Sequence, residues 1–370
     1  MKILAVVPDD IQALHMTKVL NGADWSGVLV RVTALPYFGG EIRAFLNCDD
    51  RGRSPRSLAP TCPYPDNPFV QYEATVDRTR SLFNRAPVFN WGDIERGIEL
   101  LQHVLNTTDA DVLVTWNERL WYNEVATAWA LTNNVPCVKL ERGCFPETYI
   151  VDDLGFDYGR NRFNDIFMGY VLTNSDIELF ERKIDRVKTL EIQNEDGPSA
   201  PELSELAEPG KPIVFLPLQV PIDTNVVFRH GGNKELISFA SKSTEVSVFA
   251  KLHPADRWTN QYLLREYCDE RGVQLFDASL FSYIDASSAV VTMNSQAGID
   301  ALLRGKNVGV LGDAFWKYTG ATVDDPESVM DVVNAEIDKE VIDRFLVSMR
   351  LHYLREENQV LSRIEELVGQ

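Results

Sequence analysis

The chain has 370 residues, with 36 Lys and Arg against 55 Asp and Glu and a formal net charge of −19. That length is long for one hydrophobic core and predicts two domains. The acidic balance excludes a nucleic-acid-binding protein and disfavours broad attraction to anionic lipid. No run of about 18 apolar residues is present, so no membrane span is expected.

From the start of the chain, Lys2–Val7 is too short an apolar run for a signal peptide and meets acids at once. It reads as the first buried strand of a domain, and a cytoplasmic location is the expectation. Val28–Ala34, Val112–Trp116 and Pro136–Leu140 are further β-rich runs. Helical patterns at Asp9–Leu20, Trp91–Asn106 and Leu120–Asn133 lie between the strands. Strands separated by helices of this length imply βαβ units and a parallel sheet. Asn47–Pro68 holds five prolines and no periodicity, so it reads as a long loop or insertion.

Gln193–Pro212, with four prolines and two glycines, is the linker candidate. After it come strands at Ile213–Leu218, Val246–Leu252, Val273–Phe276, Ala289–Met293 and Val308–Leu311. Helices at Asn233–Ala240, Gln261–Arg271 and Ala297–Arg304 separate them, and Asp338–Val368 carries apolar residues at helical spacing. The expected organisation is an N-terminal Rossmann-like domain over 1–192 and a linker over 193–212. A second Rossmann-like domain follows over 213–337, then a C-terminal helical segment over 338–370. That is an α/β, GT-B-like architecture, with two Rossmann-like domains facing across a cleft and the ligand at the carboxyl ends of the strands.

Four segments fall at such strand ends. Glu141-Arg142-Gly143-Cys144 offers an acid beside a glycine, suited to proton transfer; the competing reading is a turn with a solvated Glu141–Arg142 pair. Gln219, Asp223 and Asn225 lie on a proline-stiffened loop, where Asp223 or Asn225 could equally cap a helix. Lys251-Leu252-His253-Pro254 places an ammonium and an imidazole where they could hold a phosphate or a sugar carboxylate. In Asn294-Ser295-Gln296-Ala297-Gly298 a strand passes through a polar turn to a helix opening on small residues. Free backbone N–H groups and a phosphate contact at Ser295 are expected there, with Asn294 and Gln296 beside it.

Five scattered cysteines without CxxC spacing argue against a disulfide framework or structural zinc. Cys144 lies beside Glu141, but an isolated cysteine reads first as a small packing residue rather than a functional thiol. The GxSxG, HExxH and GxxxxGK[ST] patterns are absent, and the acidic pairs are adjacent rather than spaced. No metal and no bound cofactor are therefore expected.

Taken together, E-x-G after a strand, LQ…D, K-x-HP and NSQAGIDALLRGK…LGDAFW…TGAT resemble the capsule-polysaccharide biosynthesis family of bacterial β-Kdo glycosyltransferases. The resemblance runs from about Thr115 to Thr322. It implies transfer of Kdo from CMP-Kdo, with retention, to a glycan or glycolipid acceptor. By position it makes Asp223 the nucleophile and Glu141 the acid/base or acceptor-side catalyst. His253 and Ser295 would then touch the donor phosphate, supported by Lys251 and Gln219. The same E-x-G and HP pair is also similar to GT-B sialyltransferases, which would invert and use an acid near Gly143 as base. A UDP- or GDP-sugar enzyme and a non-catalytic polysaccharide-assembly component are the remaining alternatives. A lipid acceptor would add peripheral association with the inner face of the cytoplasmic membrane.

Overall fold

Strands that are apolar at successive positions can be buried on both faces only in the interior of a covered sheet. In the computed structural model of the protein, Lys2–Val7 (β1) is such a strand. The described residues are 1–7, 15–16, 18–20, 26–35, 38–47, 101–102, 105–117, 121–156, 161–191, 200–220, 232–254, 256, 261–276 and 278–369. The rest of the expected insertion beyond residue 47, the first part of the expected linker and the loop carrying Asp223 and Asn225 lie outside them.

Contacts divide the chain into two compact units. The first comprises Met1–Gly143, Glu147–Gly155 and Leu354–Gln370; the second comprises Cys144–Pro146 and Phe156–Tyr353.

The first unit is built on a seven-stranded sheet. Besides β1 it contains β2 (Ser26–Leu35), β3 (Phe38–Asn47), β4 (Val112–Trp116), β5 (Cys137–Arg142), β6 (Thr148–Asp152) and β13 (Arg355–Glu356). The order is β13-β6-β5-β4-β1-β2-β3. The central pairs β2–β1, β1–β4 and β4–β5 are parallel, while β3, β6 and β13 join antiparallel. β3 and β6 were not expected from the sequence. β3 begins in Phe38-Gly39-Gly40, and β6 follows directly on the Gly143–Glu147 turn, so neither is announced by a preceding helix.

The second unit has six strands: β7 (Ile213–Pro217), β8 (Ser247–Lys251), β9 (Val273–Leu275), β10 (Ala289–Thr292), β11 (Asn307–Val310) and β12 (Val323–Asp324). All pair in parallel, in the order β12-β11-β10-β7-β8-β9. The chain thus winds outward from β7 in one direction and from β10 in the other, the doubly wound arrangement expected of Rossmann-like units.

Differences from the expected boundaries have packing causes. The linker region carries the helix Ala200–Glu205, anchored by Leu203, which is fully buried. Two helices absent from the expectation, Arg162–Gly169 and Asn174–Glu191, belong to the second unit although they precede the linker. Asn161 caps the first of them, accepting from the N–H groups of Phe163 and Asn164.

The C-terminal segment is not one helical piece. Lys339–Val347 continues into a π-helical turn, Ser348–Tyr353, and both stay with the second unit, where Phe345 meets Phe163 and Trp316. After β13, Val360–Val368 forms a helix of the first unit. Its residues Val360, Ile364 and Leu367 recur at four- and three-residue spacing, so one stripe faces inward. That stripe joins the core made by Ile3, Ala5, Val7, Val112, Val114 and Val138.

Truncating this stripe should therefore be costly. Ile364→Ala is expected to lower the unfolding free energy by about 2–5 kcal/mol, measured by urea denaturation, whereas exposed Glu365→Ala should change it little.

Candidate functional site

In a doubly wound sheet, ligand groups collect outside the carboxyl ends of the strands where the winding direction reverses. In the first unit that reversal lies between β1 and β4, and in the second between β7 and β10. The side chains at these strand ends form one set in each unit.

In the first unit, β4 ends in Trp116 and the chain turns at Asn117, whose φ of 69° is one that asparagine adopts more readily than most residues. This turn sends the Asn117 side chain toward β5, where Nδ2 donates to Glu141 Oε2 at 3.1 Å. Glu141 Oε1 accepts from the Arg142 backbone N–H at 2.8 Å, so both carboxylate oxygens of this half-buried acid are engaged. Gly143 is required next. Its N–H donates to the Thr148 carbonyl at 2.8 Å, and a Cβ at this position would collide with the Thr148 hydroxyl. Close backbone approach thus explains the glycine of E-x-G.

The Glu141–Arg142 pair considered from the sequence does not form. Neighbouring strand residues point to opposite faces, and the Arg142 guanidinium instead donates through Nη2 to His15 Nε2 at 3.1 Å. His15 Nδ1 lies 3.1 Å from Tyr149 Oη, and the ring sits between Trp116 and Tyr149, with centroids 5.8 and 6.2 Å away. Burial, then Arg142, lowers the His15 pKa from its ordinary value and favours neutral imidazole. Buried Asn123 donates to the Trp116 carbonyl at 2.6 Å and secures the end of β4.

In the second unit, Gln219 after β7 and Asn294 after β10 meet across the reversal. Asn294 Nδ2 donates to the Asp313 carbonyl at 3.1 Å. That backbone acceptor orients the Asn294 amide, so its Oδ1 receives Gln219 Nε2 at 2.9 Å. Gln219 is also clasped through its backbone by Asn233, which accepts from its N–H at 2.9 Å and donates to its carbonyl at 2.7 Å. Gln219 Oε1 is left buried without a hydrogen-bond partner. Lys251 closes β8 half-buried, and His253 is exposed on the turn that the Asp256 N–H closes onto its carbonyl at 2.9 Å.

The turn after β10 differs from expectation. Most of its backbone donors are spent internally. The Ser295 N–H goes to Thr292 Oγ1, Ala297 N–H to Ser295 Oγ, Gly298 N–H to the Ser295 carbonyl, and those of Ile299 and Asp300 to the Gln296 carbonyl. The following helix, Ala297–Leu303, is short. Its small residues serve packing, because Ala297 is buried and a Cβ on Gly298 would come within 3.0 Å of the Trp316 ring. What the turn offers a ligand is the Ser295 hydroxyl proton, since Ser295 Oγ already accepts from Ala297, and the Gln296 N–H, which bonds to none of the described residues. Gln296 Nε2 donates to the Cys144 carbonyl at 2.8 Å, within the same unit.

Cys144 is not placed to react. It is buried against Met349 Sδ at 3.0 Å, and burial pushes its thiol far up. Cys268, also buried, is raised to about 11 for the same reason. His15, Asn117, Tyr149, Asn233 and Thr292 were missed from sequence. Asparagine directly after a strand, as at Asn117, was the one signal available.

Two α/β units with this strand order define a GT-B-like fold. A Thermosulfurimonas dismutans structure described as KpsC, beta Kdo 2,4 transferase shares it. The TM-score is 0.50 at 18% identity, over 70% of this chain and 88% of that one. The family model described as "Capsule polysaccharide biosynthesis protein" matches residues 173–357, half of the chain, and the chain belongs to that family. The capsule polysaccharide export protein KpsS of Escherichia coli is 35% identical over 98 residues, 24% of this chain and 25% of that protein. The matched part is thus about a quarter of that relative's length.

Two outcomes test the site's construction. In the native protein at pH 8, Cys144 and Cys268 should resist iodoacetamide and become alkylated only on unfolding, read by peptide mass mapping. Asn294→Ala strands the Gln219 amide and should cost about 1–3 kcal/mol of stability in urea denaturation.

Proposed function

We propose that the protein is a glycosyltransferase of capsule or surface polysaccharide synthesis that moves Kdo from CMP-Kdo, with retention, to a glycan or glycolipid acceptor. The observation that carries this reading is Glu141. A carboxylate at the carboxyl end of a central strand, positioned by Asn117 and its own strand end, suits proton transfer with an acceptor hydroxyl. Family membership supports the polysaccharide context, and the name of the Thermosulfurimonas dismutans structure supports Kdo as the sugar.

In this reading the Asp223 carboxylate attacks the anomeric carbon as the bond to the CMP phosphate oxygen breaks. The CMP phosphate departs with the electron pair, leaving a glycosyl ester on Asp223. Glu141 then takes the proton of the acceptor hydroxyl as that oxygen displaces Asp223, so two inversions retain configuration. Charge developing on the leaving phosphate is met by Lys251, His253 and the Ser295 hydroxyl proton, without a metal. Gln219 and Asn294 hold the β7 and β10 loop ends in register beneath the donor, and Gln296 anchors the far side of the Ser295 turn.

The helices of the described residues include none long and apolar enough to cross a membrane. A lipid acceptor would be met by peripheral association at the inner face of the cytoplasmic membrane.

A thermal-shift series with CMP, UDP and GDP tests the donor class. CMP should stabilise the protein, and stabilisation by UDP with no response to CMP would overturn the assignment. Asp223→Ala should abolish transfer while CMP still binds, and undiminished transfer by that variant would rule out the retaining mechanism. His253→Ala should weaken CMP binding about tenfold, the loss of one charge-assisted contact of roughly 1.4 kcal/mol.

A further inference from the structure

We propose that Arg142, oriented by His15, recognises an oxyanion on the acceptor. The assignment rests on the glycosyl-transfer reading for the word acceptor, and on geometry alone for the oxyanion.

Arg142 is exposed in a chain carrying 55 acidic residues against 36 basic ones, yet no carboxylate pairs with its guanidinium among the described residues. Among the described residues its one side-chain bond is to a histidine ring nitrogen. Arginine can only donate, so His15 Nε2 must be the bare nitrogen and Nδ1 must carry the proton. Nδ1–H then donates to Tyr149 Oη. The His15 ring is thereby fixed in one tautomer between Trp116 and 95%-buried Tyr149. A neutral imidazole aims the guanidinium without neutralising it, and leaves four of its five N–H donors open.

The charged neighbours agree with this. Lys18, which faces His15 from the same stretch of chain, is ion-paired with Glu357 and adds no open cation. Glu147, on the turn before β6, and Glu357 are the acids that Tyr149 senses, and neither pairs with Arg142. Holding an arginine in one orientation removes side-chain entropy that a ligand would otherwise have to supply on binding. A planar fork held in this way matches a carboxylate or phosphate.

The ligand is assigned to the acceptor from within the reading above. The groups proposed for the donor phosphate, Lys251, His253 and Ser295, all belong to the second unit, whereas Arg142, His15 and Tyr149 belong to the first. Arg142 directly follows Glu141, which the reading above sets against the acceptor hydroxyl, and on that ground the oxyanion is placed on the acceptor. A sugar-acid carboxylate and a sugar phosphate share this chemistry.

Isothermal titration of the full chain with the methyl glycoside of Kdo, the methyl ester of that glycoside, and glucose 1-phosphate tests the assignment. The free acid should bind at least about tenfold more tightly than its ester, the value of one charge-assisted bidentate contact. Glucose 1-phosphate binding more tightly than the acid would assign the oxyanion to a phosphate. Arg142→Ala should erase the preference for acid over ester. Arg142→Lys should retain part of it, and His15→Gln, which keeps an acceptor for Arg142 but not the clamped ring, should fall between. CMP binding by each variant verifies that it is folded. Equal binding of acid and ester by the unaltered protein, or an unchanged preference in Arg142→Ala, would overturn the proposal. Acid preference in a protein that ignores CMP would sink the transfer reading and leave the oxyanion site standing.

Discussion

Everything at the carboxyl edge of the second unit depends on one constraint, the reversal of winding between β7 and β10. Two parallel strands that sit side by side but lie far apart in sequence send their following loops to opposite sides, which opens a crevice. An open crevice would leave two loop ends unsupported. The amide chain from Gln219 through Asn294 to the Asp313 carbonyl ties them together. Because that chain ends on a backbone carbonyl, each amide has one orientation, and the positions of Ser295 and Gln219 follow from it.

The first unit meets the same constraint with different groups. There, the reversal between β1 and β4 is spanned by the His15 ring against Trp116, and the neighbouring β5 supplies Glu141 and Arg142. Strand alternation separates these two adjacent residues onto opposite faces. The acid is engaged by Asn117, and the guanidinium is aimed by a histidine that leaves its charge intact. Consecutive positions thus carry an acid and a guanidinium without the two side chains pairing with each other.

Small residues at this edge illustrate how one pattern supports two explanations. Gly143 and Gly298 both look like sites of close ligand approach. Each is instead required by a protein neighbour, Thr148 in one case and Trp316 in the other. Likewise the turn at Ser295 looks like a cradle of free N–H groups, but its residues consume most of those donors in closing the turn. Cys144 stands three residues after Glu141 in sequence and is buried away from solvent in space.

The sequence by itself determined the α/β class, the central parallel strands and the positions of Glu141, Gln219, Lys251, His253 and Ser295 at strand ends. Those features are written in local periodicity and in turn residues directly after apolar runs, which need no distant partner to be read. Tertiary structure alone decided the antiparallel edges β3, β6 and β13, the return of Val360–Val368 to the first core, and the partners of Arg142. Each of these depends on residues far apart in the chain: Arg142 meets His15 across 127 positions, and Ile364 packs with Ile3. No local pattern encodes such a pairing, because its free energy comes from burial and hydrogen bonding that exist only once the first unit's sheet has formed.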